Sequence, residues 1–182
     1  KILEHIKDDN QIHIANHDNP IDILIIQGIF KMRSITTSHL HLEGIFPNIK
    51  YTIYKYGHIL LNYKNYNSRV QSINRLDKNL KKFGRIFIFP NGSLLTNIQK
   101  RFSRSISFLS KQNNAKVYVW KFRYLGDYES LKEFQYDPLK IILKRLGSNP
   151  IVVTCQHEGI FDPKKYKSQL EMTRSLQNEY KF

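Results

Sequence analysis

His17 and Asp22 stand five positions apart in Asn16-His17-Asp18-Asn19-Pro20-Ile21-Asp22. An imidazole beside a carboxylate at a strand-to-helix junction is a general-base arrangement. A second stretch with chemical potential is Phe89-Pro90-Asn91-Gly92-Ser93. There Gly92 lets backbone N–H groups approach an anionic oxygen closely, and Ser93 adds a hydroxyl donor. Each stretch alone also has a plainer reading. Asp22 can simply cap a helix beside an exposed turn histidine, and residues 89–93 can form an ordinary proline-glycine turn. Cys155-Gln156-His157-Glu158 contains metal-ligand types without a full coordination set, and His13 and His17 are four apart on a strand and turn rather than a helix, so no metal is expected.

These residues need elements to hold them. Gln11 to Ala15 reads as a short strand, and Asn19 with Pro20 supplies an N-cap and first position for a helix running to about Met32. Thr36 to Leu42 alternates as a second strand, with His39 and His41 on one face. Pro47 opens a short helix that Gly57 closes, and Ile59-Leu60-Leu61 makes a brief buried strand. Val70, Ile73, Leu76 and Leu80 mark one face of the clearest helix, which Gly84 stops. Arg85 to Phe89 has the length and content of a central strand, ended by Pro90-Asn91-Gly92.

A helix bearing Phe102, Ile106 and Leu109 follows, then a strand from Lys116 to Tyr124. Asp137-Pro138 opens a helix closed by Gly147, Ile151 to Thr154 forms a final strand, and Asp162-Pro163 opens a polar C-terminal helix. Strands alternating with helices predict the α/β class, here a single domain over residues 1–182 with a mixed β-sheet flanked by helices.

Composition narrows the class further. A net charge of +14, from 29 Lys and Arg against 15 Asp and Glu, favours polyanions: nucleic acid, anionic lipid surfaces or phosphorylated small molecules. Abundant Ile, Asn, Lys and Tyr point to a biased coding sequence as a source of part of that excess. The single Cys155 excludes an intrachain disulfide and a Cys-rich zinc site. No apolar run approaches the roughly 20 residues that span a bilayer. The chain begins at Lys1 rather than Met, so an upstream piece carrying a membrane anchor is expected.

Taken together and in this order, Asn16-His17-x4-Asp22 and Phe89-Pro90-Asn91-Gly92-Ser93 resemble the glycerophospholipid acyltransferases, which carry Asn-His-x4-Asp followed by Phe-Pro-Glu-Gly-Thr. Pro47 and the block from Gly57 through Ile59-Leu60-Leu61 fall where that family has a proline and a Gly-x-aliphatic-aromatic-aliphatic block. Leu94-Leu95-Thr96 through Arg104-Ser105 and Phe108 is most similar to the lysocardiolipin and lysophosphatidylinositol branch. The resemblance covers about residues 11–120. The chain also departs from the pattern. Asn91 stands in place of Glu, Ser93 of Thr, Leu94 of an Arg found in many members, and Tyr63 of an Arg that often ends the Gly57 block. Val117-Tyr118-Val119-Trp120 replaces a proline-flanked strand.

The resemblance implies an acyltransferase that uses acyl-CoA as co-substrate, with no cofactor and no metal, to esterify a hydroxyl of a lysophospholipid or glycerol-phosphate acceptor. His17 would take the hydroxyl proton and Asp22 would orient the ring. Asn91, Gly92 and Ser93 would line the acceptor or oxyanion side, and Lys64, Arg69 or Arg101 would meet the phosphate. The partners implied are acyl-CoA, the acceptor and an anionic membrane surface on the cytosolic face, with no nucleic acid. Two rivals compete: a catalytically silent relative that binds anionic lipid, favoured by Asn91, and a basic nucleic-acid-binding protein whose aromatic and basic stretches stack on bases.

Overall fold

Side chains alternate between the two faces of a strand, and here the two faces carry different residues. Ile12 and Ile14, Ile86 and Ile88, and Val117 and Val119 are buried on one face; Phe87, Phe89, Tyr118, Trp120 and Phe122 are buried on the other. The computed structural model describes residues 10–17, 22, 26–30, 36–38, 58–61, 65–90, 102–125 and 152–180.

Four strands form the main sheet: β1 (Gln11–Ala15), β4 (Arg85–Ile88), β5 (Lys116–Leu125) and β6 (Val152–Phe161), in the order β4-β1-β5-β6. β1, β4 and β5 are parallel and β6 is antiparallel, so the sheet is mixed. Ile14 lies level with Ile88 on one side and Val119 on the other. Two short strands, β2 (Thr36–Ser38) and β3 (Ile59–Leu61), pair in parallel as a separate sheet.

The aliphatic face is covered by α1 (Tyr66–Phe83), α2 (Ser105–Asn113) and α3 (Gln169–Glu179), which contribute Leu76, Leu80, Ile106, Leu109, Met172 and Leu176. Each of these side chains gains about 2 kcal/mol from leaving water. The aromatic face is covered by Ile26 and Phe30, at the two ends of a π-helical turn (Ile26–Phe30).

The helix ends follow from their residues. Asn65 caps α1, its carboxamide oxygen accepting from the Ser68 N–H at 3.1 Å. Gly84 ends it at φ 71°, a left-handed position that suits glycine, and its N–H reaches the Leu80 carbonyl at 2.8 Å. Asn114 ends α2 in the same conformation.

Several sequence expectations are corrected. Arg85–Ile88 lies at the outer position of the sheet among the described residues, and the central places belong to β1 and β5. Its apolar run reflects burial on both faces, which a covered outer strand shares with a central one. On α1, Val70 faces solvent and Ser72 takes the buried position, returning its hydroxyl to the Ser68 carbonyl at 2.8 Å. The last strand runs to Phe161 rather than Thr154, because the long β5 pairs with Gln156 and His157, whose polar side chains carry no strand signal. Asp162 caps only a 3₁₀ turn (Pro163–Lys165). α3 starts later, with Ser168 accepting from the Glu171 N–H at 3.1 Å while the Glu171 carboxylate accepts from the Lys167 N–H at 2.7 Å. Of the helix expected from Pro20 to Met32, the described residues show Asp22 helical and Ile26–Phe30 in π geometry. The helices expected after Pro47 and after Asp137 lie outside the described residues.

Candidate active site

Three parallel strands deliver their carboxyl ends to one edge of the sheet, the edge at which open α/β sheets place ligand sites. β1 ends at Ala15, and the next two residues have separate tasks. Asn16 is buried and turns its carboxamide toward β5. Its Oδ1 accepts from the Phe122 N–H at 2.7 Å and its Nδ2 donates to the Phe122 carbonyl at 3.0 Å. The side chain thus extends the β1–β5 ladder after the β1 backbone has left it. The Tyr180 hydroxyl, just beyond α3, donates to the Ala15 carbonyl at 2.5 Å and pins the same strand end from the opposite face. His17 is therefore displayed from a fixed point.

Period-two alternation puts His17 on the aromatic face with His13 and Ala15. Its ring lies on that of Phe89, with centroids 3.9 Å apart and planes 17° from parallel. Asp22 comes back to it from the following helical segment. Asp22 Oδ2 lies 2.9 Å from His17 Nδ1, and the side chains are 1% and 12% exposed. A carboxylate only accepts, so it selects the tautomer with hydrogen on Nδ1 and leaves the Nε2 lone pair for an incoming proton. The second oxygen, Oδ1, accepts from the Tyr124 hydroxyl. Both oxygens of this buried carboxylate are thus hydrogen-bonded, as a charge out of water requires.

His13, two residues before Ala15 on the same face, has a different setting. It is fully buried, stacked on Tyr118 and nearly parallel to Trp120 beside it, with Phe30 edge-on. The Trp120 indole N–H donates to His13 Nδ1 at 3.0 Å, so the ring proton sits on Nε2, 3.0 Å from Gln11 Oε1. Burial, helped by the positive charges of Arg85 and His157, pushes its pKa down to about 3. Both nitrogens are engaged within the core, so His13 does not join His17 in a ligand pair.

The sequence-expected residues fall as follows. His17 and Asp22 are brought together. Arg69 is on the first turn of α1, exposed, with its guanidinium 5.6 Å from the Tyr66 ring centre. Lys64, Asn91, Gly92, Ser93 and Arg101 lie outside the described residues. Cys155 is half-buried against the aromatic cluster, and burial pushes its thiol up to about 11. His157 packs on Trp120. Among the described residues no group of three or more His, Cys, Asp and Glu side chains is placed to hold a metal ion. Sequence reasoning missed Tyr124, Asn16 as a clamp, and Phe89 as the ring beneath His17. The alternation of Tyr118, Trp120, Phe122 and Tyr124 is the one signal that places Tyr124 on the face of His17.

The arrangement defines an α/β protein with a carboxylate-held imidazole at the carboxyl edge of parallel strands. Residues 1–145 match the Acyltransferase family model, and the chain belongs to that family. Among solved structures it is similar to the 1-acyl-sn-glycerophosphate (LPA) acyltransferase PlsC from Thermotoga maritima, with a TM-score of 0.61 and 18% identity. The likeness covers 96% of this chain, which spans 65% of that protein's length, and it shows a shared fold. No curated protein matches the chain. No helix among the described residues is long and apolar enough to cross a membrane.

Proposed function

We propose that this protein transfers an acyl group from acyl-CoA to a hydroxyl of a lysophospholipid or related glycerol-phosphate acceptor, at an anionic membrane surface on the cytosolic side. The observation that carries the proposal is the 2.9 Å contact between His17 and Asp22 at the sheet edge of an Acyltransferase-family chain. In this reading His17 Nε2 takes the acceptor hydroxyl proton as its oxygen attacks the thioester carbonyl. Asp22 holds the ring and stabilises the imidazolium. Collapse of the tetrahedral intermediate breaks the C–S bond, and the imidazolium returns the proton to the departing CoA sulfur. No covalent enzyme intermediate, cofactor or metal enters the scheme.

Asn91, Gly92 and Ser93 follow Phe89 and Pro90 after the end of β4, and the proposal gives them the acceptor or oxyanion side. Lys64, Arg69 and Arg101 are its phosphate partners. The test is acyl transfer from labelled acyl-CoA to a panel of lysophospholipids. His17→Ala is expected to lower the rate by about a thousandfold while leaving the fold intact.

One observation favours a second reading, a silent relative that binds anionic lipid: Asn91 stands where the family motif has Glu. Equal inactivity of wild type and His17→Ala, with liposomes bound by both, supports that reading and removes the enzyme. Increased turnover in Asn91→Glu shows that the departure lowers activity without abolishing it.

A further inference from the structure

We propose that Tyr124 is a positioning residue for the His17–Asp22 pair, an assignment that rests on the acyl-transfer reading of that pair. Asp22 belongs to the segment after His17, whereas Tyr124 is 102 residues further along the chain, on β5. β5 pairs with β1 only as far as Trp120, opposite Ala15, and then continues to Leu125. The overhang is held by β6, where Tyr124 is paired with Val153, and by Asn16 at Phe122. Period-two alternation carries Tyr124 to the face of His17, and its hydroxyl donates to Asp22 Oδ1 while Oδ2 holds His17 Nδ1.

Two consequences follow from this geometry. The carboxylate is tied to the sheet frame and not only to its own short segment, so its plane is set relative to the imidazole. The hydroxyl also gives Oδ1 of the buried carboxylate a donor. In this assignment Tyr124 acts through Asp22, and its removal alters the placement of the base.

The experiment compares wild type, Tyr124→Phe, Asp22→Asn and the double variant, each checked for folding by thermal melting. Expected in Tyr124→Phe is a kcat about ten- to a hundredfold lower with KM for both substrates unchanged. The His17 ring resonances, compared by NMR at one pH between wild type and Tyr124→Phe, move without any need for activity, because the ring is held differently. In the Asp22→Asn background, Tyr124→Phe adds little, since the route of its action is already gone.

A folded Tyr124→Phe with wild-type kcat and unmoved His17 ring resonances overturns the assignment. So does a full multiplicative loss on top of Asp22→Asn, which marks a purely structural role. Wild-type activity in His17→Ala defeats the acyl-transfer reading instead, and the comparison of His17 ring resonances then decides the Tyr124 coupling by itself.

Discussion

His13 and His17 occupy the same face of the same chain segment, four residues apart, and differ in what their two nitrogens meet. His13 is inside the sheet, where Trp120 donates to one nitrogen and Gln11 faces the other. His17 is two residues past the strand end, where Asp22 takes one nitrogen and the ring keeps a 12% exposed side chain. A donor partner makes Nδ1 of His13 an acceptor; an acceptor partner makes Nδ1 of His17 a donor. The tautomers are therefore opposite. The same residue type is a packing element in one place and a partly exposed ring held by a carboxylate in the other, and the difference lies in the neighbours supplied by β5 and by the segment after Pro20.

The strongest way to break this contrast is to remove each ring in turn. His13→Ala leaves a cavity among Phe30, Tyr118 and Trp120 and strands the indole N–H, so a loss of about 3–5 kcal/mol is expected in urea denaturation. The fraction that folds should keep His17 chemistry, whereas His17→Ala loses the chemistry and gives up less stability, about 1–3 kcal/mol for the Asp22 Oδ2 deprived of that partner. If His13→Ala melts like wild type, the core role is wrong.

The clamp comes next in size. Asn16→Ala leaves the Phe122 N–H and carbonyl without their side-chain partner, and should cost about 2 kcal/mol while loosening the support of His17. Asn16→Asp is a sharper probe, because a carboxylate can accept from the N–H but cannot donate to the carbonyl. Activity should fall further than the melting temperature predicts in that variant.

Acid titration reports on the two buried rings, His13 and His58. Burial holds His13 near 3 and His58 near 4, both below the ordinary 6.5. Between those values the unfolded chain binds more protons than the native one, so the stability these rings contribute is complete above about pH 6.5. It is lost as pH falls, at about 1 kcal/mol per pH unit for each ring, until about pH 4 for His58 and about pH 3 for His13. Urea unfolding measured across this window checks the slope, and His13→Gln should flatten it by one ring's share. The smallest effect is expected from Tyr180→Phe. It removes one hydrogen bond to the Ala15 carbonyl, about 1 kcal/mol, and should lower turnover less than Tyr124→Phe does.

Much of the frame was legible from local chemistry. Gln11–Ala15 and Ile59–Leu61 are strands as their patterns require, and Gly84 and Asn114 stop helices where the pattern breaks. His17 and Asp22 are close in sequence, so a strand end and a helix start suffice to suggest their meeting. What was misread depends on distant chain. The outer place of Arg85–Ile88 among the described residues, the solvent-facing Val70 and the long reach of Val152–Phe161 are set by what packs or pairs alongside, and side-chain type does not encode that.

The amino-acid sequence by itself determined the alternation of strands and helices, the net positive charge, and a histidine-and-carboxylate pair in an order that resembles the glycerolipid acyltransferases. Tertiary structure alone decided how His13 and His17 differ. It set Trp120 against His13, Phe89 beneath His17, Asn16 on Phe122 and Tyr124 on Asp22. Strand register and strand length bring those partners together across more than 70 residues of chain, and register is settled only when the sheet has assembled.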